Sequence, residues 1–192
     1  MYQILITCRE AAIASIPLIP LYVILYLYYF HDIKRSIFCF LFSLYLAAMY
    51  AAVGLPDITY YRFSPRYNFV PFLYMFTAWD TSLLNVILFL PLGFFLPILW
   101  SNMNSFIKTA GFGLCISIFI EILQIFTFRA TDINDIMTNT FGTCIGFLLG
   151  STALKKFPAF APVEGRGDFP IVMGSALAVM FFIYPFIVPI LQ

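Results

Sequence analysis

Six predominantly apolar runs limit what this chain can fold into more sharply than any other feature. They cover approximately residues 12–30, 36–55, 82–100, 106–127, 133–154 and 170–191. A helix rises about 1.5 Å per residue, so each run is long enough to cross a hydrocarbon core of about 30 Å. Barrel strands are excluded, because the runs are about twice too long and do not alternate. Composition agrees: 62% of the 192 residues are hydrophobic and 10% are charged. A soluble domain shows about 45–50% apolar and about 25% charged residues. The expected fold is all-α, a polytopic integral membrane bundle of about six transmembrane helices. The fifth run is the least apolar, because it opens with Asp135, Thr138 and Asn139.

Three regions follow. Residues 1–55 form an N-terminal transmembrane hairpin, joined by the short polar link His31-Asp32-Ile33-Lys34-Arg35. Residues 56–154 form a membrane core, and residues 155–192 a cytoplasmic linker and a last helix. The loop at 56–81 carries Pro56, Pro65, Pro71 and Trp79. Phe69, Phe72, Leu73, Phe76 and Trp79 recur at helical spacing, which predicts a short interfacial helix over about 71–81.

Lys/Arg placement orients the bundle. One side carries Arg9, Arg62, Arg66 and Arg129; the other carries Lys34, Arg35, Lys108, Lys155, Lys156 and Arg166. Six against four makes the second side cytoplasmic, so loops 56–81 and 128–132 face outward. Arg9 stands beside Glu10, which neutralises it locally. Tyr22, Tyr26, Tyr28 and Tyr29 read as an aromatic belt near the first cytoplasmic turn.

The net charge is +1, which gives no field to recruit nucleic acid. Cys8, Cys39, Cys115 and Cys144 form no CxxC pair, and His31 is a lone histidine, so no zinc set exists. No metal site and no cofactor is assigned.

Polar groups inside spans are costly and mark functional candidates. From the outer ends of their spans, Gln124 and Asn85 lie roughly 5 Å deep, Asp135 roughly 3 Å, and Glu121 and Asn139 roughly 9 Å. Three helices thus place polar side chains in one outer layer. Asp132, Asp135, Asn139, Gly142 and Gly146 are spaced by three or four residues and form one stripe. Gly142, Gly146 and Gly150 continue it as a small-residue ridge that lets a neighbouring helix approach. Asn139 needs a facing partner, and Glu121 or Gln124 is nearest in depth. Asp132 suits the N-cap of the fifth helix. A structural Glu121–Arg pair with Arg129 or Arg66 stands beside a ligand or proton-transfer role for Glu121.

At these residues the chain resembles the VanZ-like family. The similarity covers about residues 66–152: Asn68-Phe69-Val70-Pro71-Phe72, Asn85 with Phe89, Pro91-Leu92-Gly93, Glu121 with Gln124, then Arg129, Asp132, Asp135, Asn139 and Gly142. Asn134 stands where the family often has a second acid beside Asp135. The resemblance implies a multi-pass protein of the bacterial cytoplasmic membrane, in some members lowering susceptibility to teicoplanin-type lipoglycopeptides.

Three function classes follow. In the first, an outer-leaflet site binds an amphiphile, a lipoglycopeptide tail or an envelope lipid precursor among the membrane lipids. Arg62, Arg66 and Arg129 then meet an anionic headgroup, with Asn68, Asn85, Gln124, Asp132 and Asn139 lining the site. In the second, an enzyme acts on a phosphate-bearing lipid, with Glu121, Asp135 and Arg129 as catalytic groups. Glu121, Asp132 and Asp135 hold Mg²⁺, or one of them is a general acid or base. The third, a transporter or flippase, ranks last, because the inner half offers only Ser117 and Thr143.

Overall fold

The structure is a computed structural model that describes residues 2–63, 66–72, 79–127, 129–157, 159 and 167–191. It is an all-α membrane bundle. Two compact units are present, one formed by Met1–Tyr61 with Arg166–Gln192 and the other by Arg62–Gly165.

In the first unit, α1 (Tyr2–Leu25) runs into a π-helical segment, Tyr26–Phe30. The chain reverses at His31, which adopts left-handed φ of 54° and donates its N–H to the Tyr26 carbonyl at 3.0 Å. Asp32 then caps α2 (Ile33–Val53) by accepting from Arg35 N. The link at 31–35 thus joins α1 and α2 through a tight reversal. Gly54 ends α2 with φ of 62°, a conformation that a Cβ would strain. The C-terminal segment is α6 (Phe169–Ala178), a π-helical stretch Val179–Ile183, and α7 (Tyr184–Leu191).

Two polar contacts fix α2 against its neighbours. Arg35 Nε donates to Asp168 Oδ2 at 2.6 Å, and both side chains are buried. Arg35 is therefore no free loop cation, as the charge count assumed, but half of an internal ion pair. The pair puts the start of α2 and the start of α6 at one end of this unit, as the even alternation of spans requires. Arg9 does meet Glu10, at 3.0 Å. The Tyr22 hydroxyl and Ser43 Oγ lie 2.5 Å apart, and Ser43 also reaches Ser175 and the Val172 carbonyl. Tyr22 is buried, so it leaves the aromatic belt expected of it. A hydroxyl with a partner inside the helix packing has no need of the interface. Tyr28 is 80% exposed, as a belt residue should be.

The second unit is built on three helices: α3 (Trp79–Leu99), α4 (Phe106–Gln124) and α5 (Ile133–Lys156). A short 3₁₀ turn at Ser101–Met103 joins α3 to α4. Helix α5 packs on both others, and most extensively on α3. The glycine ridge explains why. A Cβ at Gly142, Gly146 or Gly150 would run into the backbone of Val86, Leu90 or Phe94 respectively. Both series rise by four, so α3 and α5 lie parallel with backbones in direct approach. On its other side α5 runs antiparallel to α4, with Thr143 filling the space beside Gly113.

Among the described residues, five helices are long and apolar enough to cross a membrane. Helix α5 has the length, at 24 residues, but not the apolarity. Its Thr138, Asn139 and Thr143 are buried, whereas Phe141 and Leu148 point outward. The hydropathy is low because the polar face is turned onto α3 and α4. Helix α4 ends at Gln124 rather than at the expected 127, with the chain turning at Ile125.

The short helix expected over 71–81 falls mostly on 73–78, including Leu73 and Phe76, outside the described residues. Pro71 and Phe72 form a turn, and Trp79 opens α3. Arg166 and most of the 155–169 linker also lie outside them.

Candidate functional site

The site grows from the segment that follows α4. Residues β1 (Tyr67–Asn68) and β2 (Thr131–Asp132) pair in parallel, Tyr67 with Thr131 and Asn68 with Asp132. The Thr131 N–H donates to the Arg66 carbonyl at 2.8 Å. The bridge brings the loop over 66–72 onto the first turn of α5. Two side chains then lock it. Asn68 Nδ2 reaches both oxygens of Asp132 at 3.2 Å, and Asn134 Oδ1 accepts from Phe72 N at 2.7 Å. Phe72 has φ of 64°, a strained geometry that its bond to Asn134 helps hold.

Asp132 is the N-cap of α5, accepting from Asn134 N at 2.8 Å. Its own N–H donates to Glu121 Oε2 at 2.8 Å. The Thr131 hydroxyl donates to the Glu121 carbonyl at 3.0 Å. The Glu121 side chain thus supports the turn that presents Asp132, although Glu121 itself is only 2% exposed. Since α4 ends early, Glu121 lies about 5 Å from the end of its helix rather than deeper.

Asp135 is half-buried, and its Oδ1 accepts from Asn85 Nδ2 on α3 at 2.7 Å. One turn further along α5, Asn139 Nδ2 donates to Ser117 Oγ on α4 at 2.9 Å. Glu121 and Gln124 are not its partners. Advancing along α5 from Asp132 means retreating along antiparallel α4 from Glu121, which brings Ser117 level with Asn139. Gln124 is buried in the last turn of α4, where its carbonyl accepts from Thr127.

The predicted site residues divide accordingly. Asn68, Asn85, Glu121, Asp132, Asp135 and Asn139 come together from α3, α4, α5 and β1. Arg129 has an exposed side chain close enough to Glu121 and Asp135 to interact electrostatically with both. Arg66 joins the site through its backbone carbonyl, while its side chain is exposed. Two contributors, Asn134 and Thr131, are not among the expected site residues, and Ser117, expected only as a polar group of the inner half, belongs to the site. Asn134 reads in the sequence only as a missing acid and Thr131 carries no spacing signal, whereas Ser117 stands four residues before Glu121 and so on the same face of α4.

Chemically, the layer is rich in acceptors already braced by amides. Among the described residues, no group of three or more His, Cys, Asp or Glu side chains is arranged to hold a metal ion.

Residues 42–154 match the VanZ/LLP1 family. A stretch of 66 residues is 41% identical to Protein VanZ of Enterococcus faecium, covering 34% of this chain and 40% of that protein. This chain therefore spans about two fifths of the length of that relative. No solved structure matches.

Proposed function

Starting from the fact that the chain belongs to the VanZ/LLP1 family, we propose that it works in the bacterial cytoplasmic membrane, where its outer polar layer binds an amphiphile. The amphiphile is an envelope lipid or the lipid tail region of a teicoplanin-type drug, and binding lowers susceptibility to that drug. One observation supports this most: α3, α4 and α5 each commit a polar side chain to the same layer, through Asn85–Asp135, Glu121–Asp132 and Ser117–Asn139. Polar groups in lipid are costly unless paired or used. Phe63, Tyr67, Phe69 and Trp79 are exposed on this unit and offer aromatic surface suited to acyl chains and the interface.

Expression in a susceptible Gram-positive host tests the reading. Susceptibility to a teicoplanin-type drug should fall, and so should drug bound at the cell surface. Asp135→Ala should abolish both effects at unchanged protein level. If neither quantity changes on expression, this chain has no resistance role.

A second reading is a lipid-phosphate enzyme, with Asp135 as general base and Arg129 facing phosphate charge. An exposed Arg129 six residues before Asp135, in the turn that leads into α5, favours it. Purified protein incubated with lipid phosphates decides the matter: release of phosphate that survives Asp135→Asn removes the assignment.

A further inference from the structure

Several donors in the outer layer of the second unit are engaged with neighbouring acceptors. Asn68 Nδ2 serves both oxygens of Asp132, Asn85 Nδ2 serves Asp135 Oδ1, and the Asp132 N–H serves Glu121 Oε2. What is left over is a set of acceptors. Among the described residues, Glu121 Oε1, Asp135 Oδ2 and Asn139 Oδ1 have no hydrogen-bond partner. Asn139 is the telling one, because its side chain is 3% exposed. An orphaned acceptor so deeply buried calls for a donor. Asn139 lies one turn beyond Asp135 on α5. Its amide meets Ser117, one turn below Glu121 on α4. Asn139 thus lies one helical turn along from both carboxylates, on the contact between α4 and α5.

We propose that this layer receives a protonated primary amine carried on the headgroup of an amphiphile. The proposal rests on the reading that the outer layer binds an amphiphile, and it names the headgroup. A primary ammonium has three N–H donors and no acceptor, which suits a layer left with unpaired acceptors. Its charge answers the carboxylates of Glu121, Asp132 and Asp135. A quaternary ammonium carries the charge but cannot donate. A purely anionic headgroup meets like charge. Arg129, exposed in the turn that leads into α5, then meets the phosphate of a zwitterionic headgroup.

The experiment compares phosphatidylethanolamine, phosphatidylcholine and phosphatidylglycerol of identical acyl chains, each added to the purified full chain in detergent. Native mass spectrometry reads lipid retention, and thermal melting reads stabilisation. Phosphatidylethanolamine should be retained about ten- to a hundredfold more tightly than either other lipid. Asp135→Asn and Asn139→Leu should each reduce that preference, with folding checked by melting in the absence of lipid. The lipid series on the unaltered protein decides the matter even if a variant fails to fold. Equal retention of all three lipids overturns the ammonium assignment and leaves amphiphile binding standing. Preference for phosphatidylglycerol overturns it in favour of the arginines. Retention of none overturns the amphiphile reading itself.

Discussion

The Glu121 carboxylate accepts the backbone N–H of Asp132 at 2.8 Å, across a turn of eleven residues. This bond fixes the position of the N-cap of α5, and so the placement of Asp132 and Asp135 in its first turn. A buried N–H that loses its acceptor costs about 1–3 kcal/mol. Glu121→Ala should lower stability in detergent by about that amount. Glu121→Gln keeps an acceptor oxygen at the same reach and should cost less than half as much. Chemical unfolding of the two variants side by side checks this; equal losses would mean that the bond contributes nothing.

The glycine ridge predicts an asymmetry among glycines. A Cβ at Gly146 meets the Leu90 carbonyl, whereas one at Gly111 has nothing within 4 Å. Gly146→Ala should force α3 and α5 apart at a cost of about 1–3 kcal/mol. Gly111→Ala should be neutral or stabilising by up to about 1 kcal/mol, since alanine favours the helix. Melting temperatures of the two variants test the packing directly. Equal tolerance at both positions would contradict the close approach of these helices.

Arg35 and Asp168 make a third case. Removing one partner of a buried ion pair leaves an uncompensated charge and costs about 3–5 kcal/mol, whereas replacing both with apolar groups is often near neutral. Asp168→Asn should therefore be strongly destabilising, and Arg35→Met together with Asp168→Leu should recover most of the loss. A double-mutant cycle read by unfolding gives the coupling. A double variant no better than the single one would show that the pair does not act as a unit.

These contacts also separate what sequence reveals from what it hides. The spans follow from apolar run length, because lipid imposes a minimum. The polar stripe and ridge of α5 follow from helical periodicity, and the structure seats Gly142, Gly146 and Gly150 on α3 in that order. The bridge from Tyr67–Asn68 to Thr131–Asp132 left no trace, because two paired residues have no period. Arg35 misled the charge count because its partner lies 133 residues away. Asn134 passed for a lost carboxylate, yet its amide oxygen takes the Phe72 N–H, a bond that a carboxylate oxygen would also accept. Asn139 was matched by depth to the wrong residue of α4 because the estimate placed the end of α4 at 127 instead of Gln124.

Helix directions in the second unit give the topology a sharp test. Parallel α3 and α5 must begin on the same side of the membrane, and antiparallel α4 must begin on the other. The segment Ser101–Met103 then lies opposite the segment around Ala130. Lys/Arg counting puts the Ala130 side outside. In a variant with its four native cysteines replaced, a single cysteine at Ala130 should react with an impermeant thiol reagent in intact cells. A cysteine at Asn102 should react only after the membrane is opened. Ala130 and Asn102 are both exposed, so failure to label would not come from burial in the fold. The reverse pattern would invert the protein and move the acidic layer to the cytoplasmic leaflet. An extracellular drug would then be excluded as the occupant. Labelling of both sites from one side would contradict the helix directions themselves.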